Sequence, residues 1–450
     1  MKKELEARPL LLLAIGLIAG LVARNHLPSL AIPLALVVLL PQWPPRAWLL
    51  GGVSLGILLS PPEVTPVVSR TFVDCGAVVA GTPKLYEDRT TVPIASGEDL
   101  YLMQTSPDAD LARGDRIHVR GVVRPLSESS ERHLLSQGIV GRIRASYLRV
   151  ERHGFRPYRW AEAIRRSFLR FTDRTLPKPI AAAVDALCFN VDTYLDRDAK
   201  DDLRKTGTIH IVSASGLHVM VLAGALMALL SLLPAPRGAQ ILLLTAFLAL
   251  YACATGLQGP IVRASMVAMA GLSAYLVRRD PDPLSALALA ATAVLLANPR
   301  EVYDVGFQLS FITVGAFVLF LPRSEERPAT ASWLRASLVA SAASAPLVGY
   351  TFGSIPLLSI PANALVAMVV PAIVVLGMGA FGASFIWASL AQGLMLAVAP
   401  MVGWLYIAVE LCARPSFSVL YVPEFSGYWL VPVYGAFLLV WRRREIQAGR

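Results

Sequence analysis

Ser213, Ser215 and His218 crowd the first half of GTIHIVSASGLHVMVLAGALMALLSLL, residues 207–233, and His210 stands just upstream. On a helix Ser215 and His218 lie three apart and share a face, the arrangement that a hydroxyl nucleophile and its base require. A membrane-embedded hydrolase built on them would also need an orienting group and an oxyanion site, and no residue pattern in the chain marks either. The stretch is long enough to cross a bilayer, since about 20 mostly apolar residues span roughly 30 Å of hydrocarbon. Hydroxyls and imidazoles at that depth face a bundle interior or a wet cavity. Small residues such as Ala214, Ser215 and Gly216 equally permit close helix packing. Packing and pore lining both stand as readings of these residues.

A second polar group sits in the apolar segment GLQGPIVRASMVAMAG, where Arg263 lies several residues inside. An arginine near the bilayer centre costs about 2.5 to 3.5 kcal/mol by insertion scales, so something must compensate it. Asp304, at the start of YDVGFQLSF, is at a comparable depth and offers an ion pair. The alternative is an arginine facing a hydrated lumen through which phosphates pass. Gln258, Gln308, Ser310 and Asn363 add polar groups without a catalytic geometry. The six histidines (His26, His118, His133, His153, His210 and His218) form no HxHxDH cluster, and the four cysteines form no CxxC. Neither a metal site nor a cofactor is therefore expected. The widely scattered cysteines suggest no disulfide framework either, and a Cys75 to Cys188 bridge outside the membrane is left open. With no GxxxxGK[ST] loop either, the chain is expected to be no enzyme and to drive nothing by nucleotide hydrolysis.

The elements that must position these residues are mainly membrane spans. The 450 residues are 55% hydrophobic with a mean hydropathy of +0.57, too apolar for a soluble globule. The start, MKKELEARPLLLLAIGLIAGLVARN, has a basic n-region and apolar core but no convincing cleavage site, so a retained first span is expected. Apolar runs at 10–22, 27–40 and 48–59 are followed by a polar interval. They resume at 209–233, 239–255, 261–277, 284–297, 302–321, 334–352, 357–381, 386–412 and 428–441. The hydropathy pattern thus predicts roughly 12 crossings, with the run at 357–381 discontinuous or re-entrant because of Pro361 and Pro371. A cytoplasmic amino terminus puts Lys2, Lys3, Arg8, Arg46, Arg237, Arg278, Arg279, Arg323, Arg327, Arg335 and Arg442–Arg444 inside. Only Arg24, Arg300 and Arg414 then fall in short outer loops. This orientation places the polar interval on the outer face and both termini in the cytoplasm.

Within that interval, 71–80, 89–94, 100–104, 116–123 and 139–150 read as short strands between Gly, Pro, Asp and Ser clusters, the pattern of a small OB-type barrel. In RGDRIHVRGVVR, Arg116, His118 and Arg120 alternate with Ile117 and Val119, and Arg142 and Arg144 repeat the alternation later. One face is thus apolar and the other basic, suited to phosphates. Tyr86, Tyr101 and Tyr147 are the candidate stacking rings. The net charge of +10 reflects cytoplasmic loop charge first and only then a polyanionic partner, two explanations that are compatible. The following RPYRWAEAIRRSFLRFTDRTLPK sets Trp160, Ile164, Phe168 and Phe171 at helical spacing opposite Arg159, Arg165, Arg166 and Arg170. An apolar stripe with a basic flank predicts a helix lying on membrane lipid. The fold class expected is a polytopic α-helical membrane protein with an inserted small all-β OB-like extracytoplasmic domain. Its parts are amino-terminal transmembrane helices (1–60), the β domain (61–155), an interfacial helical linker (156–206) and a channel domain (207–450).

Four segments carry a resemblance. SGLHV (Ser215–Val219), TGLQGPIVRASM (Thr255–Met266), DVGFQLSF (Asp304–Phe311) and IPLLSIPANALVAMVVP (Ile355–Pro371) resemble the membrane domain of the ComEC family. GDRIHVRG and LLSQGIVGRI are similar to that family's outer OB-like domain. The resemblance implies an inner-membrane channel for DNA uptake in natural competence, with one strand entering while the other is degraded. Ser215, His218, Arg263 and Gln308 carry over as pore or core residues, and the residue reading adds His210, Asp304 and Asn363. Arg116, Arg120, Arg142 and Arg144 are expected to contact DNA. Many members end in a metallo-β-lactamase-like domain, whereas this sequence stops at WRRREIQAGR, the form without it. Single-stranded DNA, an outer DNA receptor, a separate nuclease and a cytoplasmic ATPase are the implied partners. A small-solute transporter is the runner-up, given spans broken by Pro and Gly, although no inverted repeat is visible.

Overall fold

The computed structural model describes residues 9–23, 43–61, 64–127, 131, 134–212, 216–276, 283–321, 329–430, 432–437 and 439. The apolar run at 27–40, Ser213 and Ser215 lie outside the described residues. The fold is mostly helical with one small sheet domain. Among the described residues three segments are long and apolar enough to cross a membrane, namely Arg237–Ala254, Ser359–Ser384 and Ala388–Ala413, and five shorter apolar helices accompany them. The chain is a membrane protein. It forms two compact units.

The first unit comprises Met1–Arg174, Phe189–Tyr194 and Gly216–Asp304. It opens with α1 (Pro9–Ala23) and α2 (Trp43–Leu59), which pack through glycines. A Cβ at Gly16 would stand 2.2 Å from Leu49 O, and one at Gly20 the same distance from Val53 O. Gly52 and Gly56 meet Leu13 O and Leu17 O reciprocally at 2.4 Å. GLIAG and GVSLG are thus two small-xxx-small motifs whose backbones touch, which only residues without side chains allow. Because Gly16 faces Gly52 and Gly20 faces Gly56, the two helices run parallel.

The sheet follows as β1 (Thr71–Val79), β2 (Lys84–Leu85), β3 (Thr90–Ser96), β4 (Asp99–Thr105), β5 (Arg116–Arg124) and β6 (Ile139–Arg152). Its order is β1-β5-β6-β4-β3-β2, and β1 also pairs with β3, so β1, β5, β6, β4 and β3 close into a ring. All pairings in it are antiparallel except β4 with β6. The period of two read from RIHVRGVVR holds, with Ile117, Val119 and Val123 buried and Arg116, Arg120 and Arg124 exposed. Val92, Ile94, Met103 and Ile143 complete a closed apolar core with them. Each such side chain contributes about 1.5 to 3 kcal/mol when fully buried.

The helix expected on the lipid surface is α3 (Arg156–Thr175), and its arginines bond to the sheet domain. Its buried residues are Ala161, Glu162, Arg165, Phe168 and Thr172, while Trp160 is 60% exposed. Arg165 donates to Pro83 O at 2.7 Å and pairs with Glu162 at 2.8 Å. Arg166 donates to Ala109 O at 2.9 Å, and Arg159 reaches Asp110 at 3.0 Å and Asp115 at 3.3 Å. Arg159 and Arg166 therefore dock on the acidic loop between β4 and β5, and Arg165 on the loop between β1 and β2. The reason is charge complementarity, which sequence periodicity alone does not reveal. Phe168 packs in a tilted ring contact, centroids 4.7 Å apart, against Phe189, the last residue of α4 (Lys178–Phe189), which otherwise belongs to the second unit.

The second unit comprises Thr175–Cys188, Leu195–Ser215 and Val305–Arg450. In it α4 is apolar and buried from Ala181 onward. Next come α5 (Arg197–Lys205), capped by Asp196, and the short α6 (Ile209–Val212). The first unit resumes with α7 (Gly216–Ser231), α8 (Arg237–Ala254), α9 (Gly259–Leu276) and α10 (Pro283–Ala297). There α9 packs on α7, α8 and α10, and α10 packs on α1. The second unit continues with α11 (Val305–Phe320), α12 (Ala329–Phe352), β7 (Ser354–Pro356), α13 (Ser359–Val366), α14 (Val369–Ser384), α15 (Ala388–Ala413) and β8 (Val419–Tyr421). The expected discontinuity falls between α13 and α14. Pro371 has no N–H for the Ala367 carbonyl and its ring crowds that group, so the helix breaks there. All four cysteines are free, so the Cys75 to Cys188 disulfide is not formed; Cys188 is buried against Gly377.

Candidate nucleic-acid face and buried charged cluster

The outward surface of β1, β5 and β6 is one continuous basic face. The register sets Asp74 opposite Arg120 and Arg120 opposite Tyr147, then Phe72 opposite Val122 and Val122 opposite Arg144. His118 lies opposite Arg149, and Arg124 opposite Arg142. Arg116, Arg120 and Arg144 are exposed, whereas Arg142 is only half-exposed. Arg120 is held by Asp74 at 2.9 Å, and its guanidinium lies 5.7 Å from the Tyr147 ring centroid. Asp74 also accepts from His118 at 2.6 Å. These contacts fix the centre of the face and leave the arginines around it to offer charge. Of the other expected stacking rings, Tyr86 lies under Arg89. Tyr101 donates to Asp99 at 3.3 Å, and burial followed by that carboxylate raises its phenol above the usual range. Phe72, 65% exposed, is a ring that sequence reading missed, since an isolated phenylalanine in a strand is indistinguishable from core.

The sheet domain is seated on two turns of the helices in the same unit. The α8–α9 turn is a Schellman motif, with Gly256 N bonded to Cys253 O at 3.1 Å and Leu257 N to Ala252 O at 2.7 Å. A Cβ on Gly256, at φ +91°, would stand 3.2 Å from Thr82 of the loop before β2. The second turn is the 3-10 segment Pro299–Tyr303, whose Arg300 packs against Gly138 before β6.

Just inside these turns lies Arg263, on α9 and 3% exposed. A Cβ on Gly259 would meet Arg263 Nη1 at 2.7 Å and Glu301 Oε2 at 3.2 Å, so guanidinium and carboxylate share the space that this glycine leaves. Asp304 and Glu301 both act on Arg263 electrostatically. The single partner expected for Arg263 is thus one of two carboxylates. Glu301 is placed by the turn: Pro299 starts it, the Asn298 side chain caps it by accepting from Arg300 N at 3.3 Å, and Asn298 Nδ2 donates to Glu301 at 3.3 Å. Asn-Pro ahead of a glutamate was the available sequence signal. His218 is buried on α7, which approaches α9 where Gly216 meets Ala264. Ser265 is also buried on α9, and its hydroxyl has no hydrogen-bond partner among the described residues.

The remaining expected site residues belong to the second unit. His210 is exposed on α6, with Nδ1 2.7 Å from Gly207 O. Gln308 is half-buried on α11. Asn363, on α13, uses its backbone carbonyl to accept from Ala367 N at 2.9 Å at the helix break. Among the described residues no three of His, Cys, Asp and Glu converge in a way that could hold a metal ion.

Residues 187–446 match the family described as Competence protein. The chain belongs to this family. It is a competence protein of the ComEC type. Over 206 residues it is 30% identical to ComE operon protein 3 of Bacillus subtilis (strain 168), which is 45% of this chain and 26% of that protein. Over 172 residues it is 37% identical to Competence protein ComA of Neisseria gonorrhoeae, which is 36% of this chain and 24% of that protein. The chain therefore spans about a quarter of the length of either curated relative. No solved structure matches it. The family match takes in Arg263, Glu301 and Asp304 of this competence protein and leaves its sheet domain outside.

Proposed function

We propose that this competence protein is the membrane conduit through which single-stranded DNA enters the cell in natural transformation. The observation that carries the reading is vertical order within the first unit. The sheet domain that carries the basic, partly aromatic face is seated through Thr82 and Gly138 on the two turns that end α8 and precede α11, and Arg263 lies just inside those turns. Phosphates would be gathered by Arg116, Arg120, Arg142 and Arg144 and then meet a buried guanidinium, the residue suited to phosphate recognition. The ring order, with its one parallel pair between β4 and β6, supports reading the sheet domain as an OB-type barrel. Roughly 12 spans, both termini cytoplasmic and the barrel outside the cytoplasmic membrane complete the topology. Conduction is assigned to this chain and not catalysis. An outer DNA receptor, a separate nuclease and a cytoplasmic ATPase would deliver, trim and pull the strand.

The test is uptake of fluorescent DNA by a deletion strain carrying the Arg263→Ala protein. Entry should fall about tenfold or more, as loss of one charge-assisted contact of about 1.5 to 3 kcal/mol requires, while the inserted protein persists. Normal uptake at equal protein level removes Arg263 from the path. The break between α13 and α14 is the observation that favours a solute transporter instead, since broken helices line transporter sites. DNA entry lost in the null strain with solute uptake intact excludes that reading.

A further inference from the structure

We infer that Phe72 and Tyr147 form a base-stacking pair that makes the barrel face select single strands over duplex. The inference rests on the nucleic-acid reading of that face and goes beyond it, because arginines alone bind either form. Phe72 is 65% exposed and Tyr147 49%, and they are the most exposed aromatic rings on the strands of this sheet. Both point outward from the same surface, Phe72 on β1 and Tyr147 on β6, with β5 between them. Two strand spacings across and two residues along separate them by about 12 Å. Arg120 covers one side of the Tyr147 ring and is itself anchored by Asp74, so the ring is oriented and its other side is open. Phe72 has no ring partner among the described residues. Arg144 and Val122 lie in line with it across the sheet.

The occupant this surface fits is a single-stranded polynucleotide. Its phosphates complement Arg120, Arg144 and Arg149, and its unpaired bases expose the ring faces that aromatic side chains need. In a duplex those faces are stacked on one another and only phosphates remain to be bound. The two kinds of side chain thus have separable signatures. Arginines act on both forms in a salt-dependent way, and the rings act on single strands with little salt dependence.

The experiment uses the full chain in phosphatidylcholine nanodiscs, with a fluorescein-labelled 20-nucleotide oligomer and the same sequence as duplex, read by anisotropy across a salt series. Phe72→Ala and Tyr147→Ala should each weaken single-strand binding by about 5- to 150-fold, leave duplex binding unchanged and preserve the salt slope. Phe72→Trp should retain single-strand preference. Arg144→Ala should weaken both forms alike and flatten the slope by about one unit. If the alanine variants bind both forms as the wild type does, or lose both equally, the stacking inference falls and the nucleic-acid face stands. If the wild type binds neither form, the reading beneath it falls as well.

Discussion

Replacing Asp115 by alanine should loosen the junction between the barrel and α3, and the structure sets the size of the effect. Its carboxylate is fully buried and accepts from Ala112 N at 2.9 Å and from Gly154 N at 2.7 Å, with Arg159 at 3.3 Å. A hydrogen bond to a charged group is worth about 1.5 to 3 kcal/mol, and the buried Ala112 amide and the part-buried Gly154 amide lose their acceptor together. Arg159 keeps Asp110 at 3.0 Å, so its charge is not stranded and adds little to the loss. The expected cost is about 3 to 5 kcal/mol, in the range for breaking one side of a buried charged contact. Asp115→Asn should cost less, since one amide oxygen can still accept while its NH2 opposes the second donor. Hydrogen exchange on the detergent-solubilised protein reads this directly. The Ala112 and Gly154 amides should exchange at least about 150-fold faster in Asp115→Ala, at about 1.4 kcal/mol per tenfold. An increase below tenfold at both amides would refute the view that this carboxylate ties helix to barrel.

Two further outcomes follow from the packing. Gly52→Val should sharply reduce the folded, membrane-inserted fraction, because even a Cβ there stands 2.4 Å from Leu13 O, whereas Gly51→Val, with nothing within 4 Å, should not. Equal yields of the two variants in a detergent-stability assay would contradict the glycine contact. In single-cysteine variants at pH 8, maleimide should label Cys75 and spare Cys188 until the protein is denatured. Burial, reinforced by Asp185, pushes the Cys188 thiol up and withholds the reactive thiolate. Labelling of Cys188 at the Cys75 rate would show that α4 opens.

What could be read without coordinates was whatever depends on neighbours along the chain. The strand alternation from Arg116 to Arg124, the run of apolar helices and the Pro371 break are local, since period, propensity and a missing N–H act within a few residues. Arg263 was legible as a residue needing compensation, because its cost is intrinsic to an arginine among apolar residues. Its carboxylate partners were only half legible: Asp304 was named, but Glu301 enters because a capped 3-10 turn swings it back over Gly259. Tertiary structure alone decided that Arg159 and Arg166 bind the acidic loop between β4 and β5 and that Arg165 bonds to Pro83 O. It alone set Phe72 and Tyr147 on one face with β5 between them and brought the two glycine motifs into register. An amphipathic pattern states which faces differ, but what each face meets depends on chain closure over tens of residues, where no periodicity carries the information.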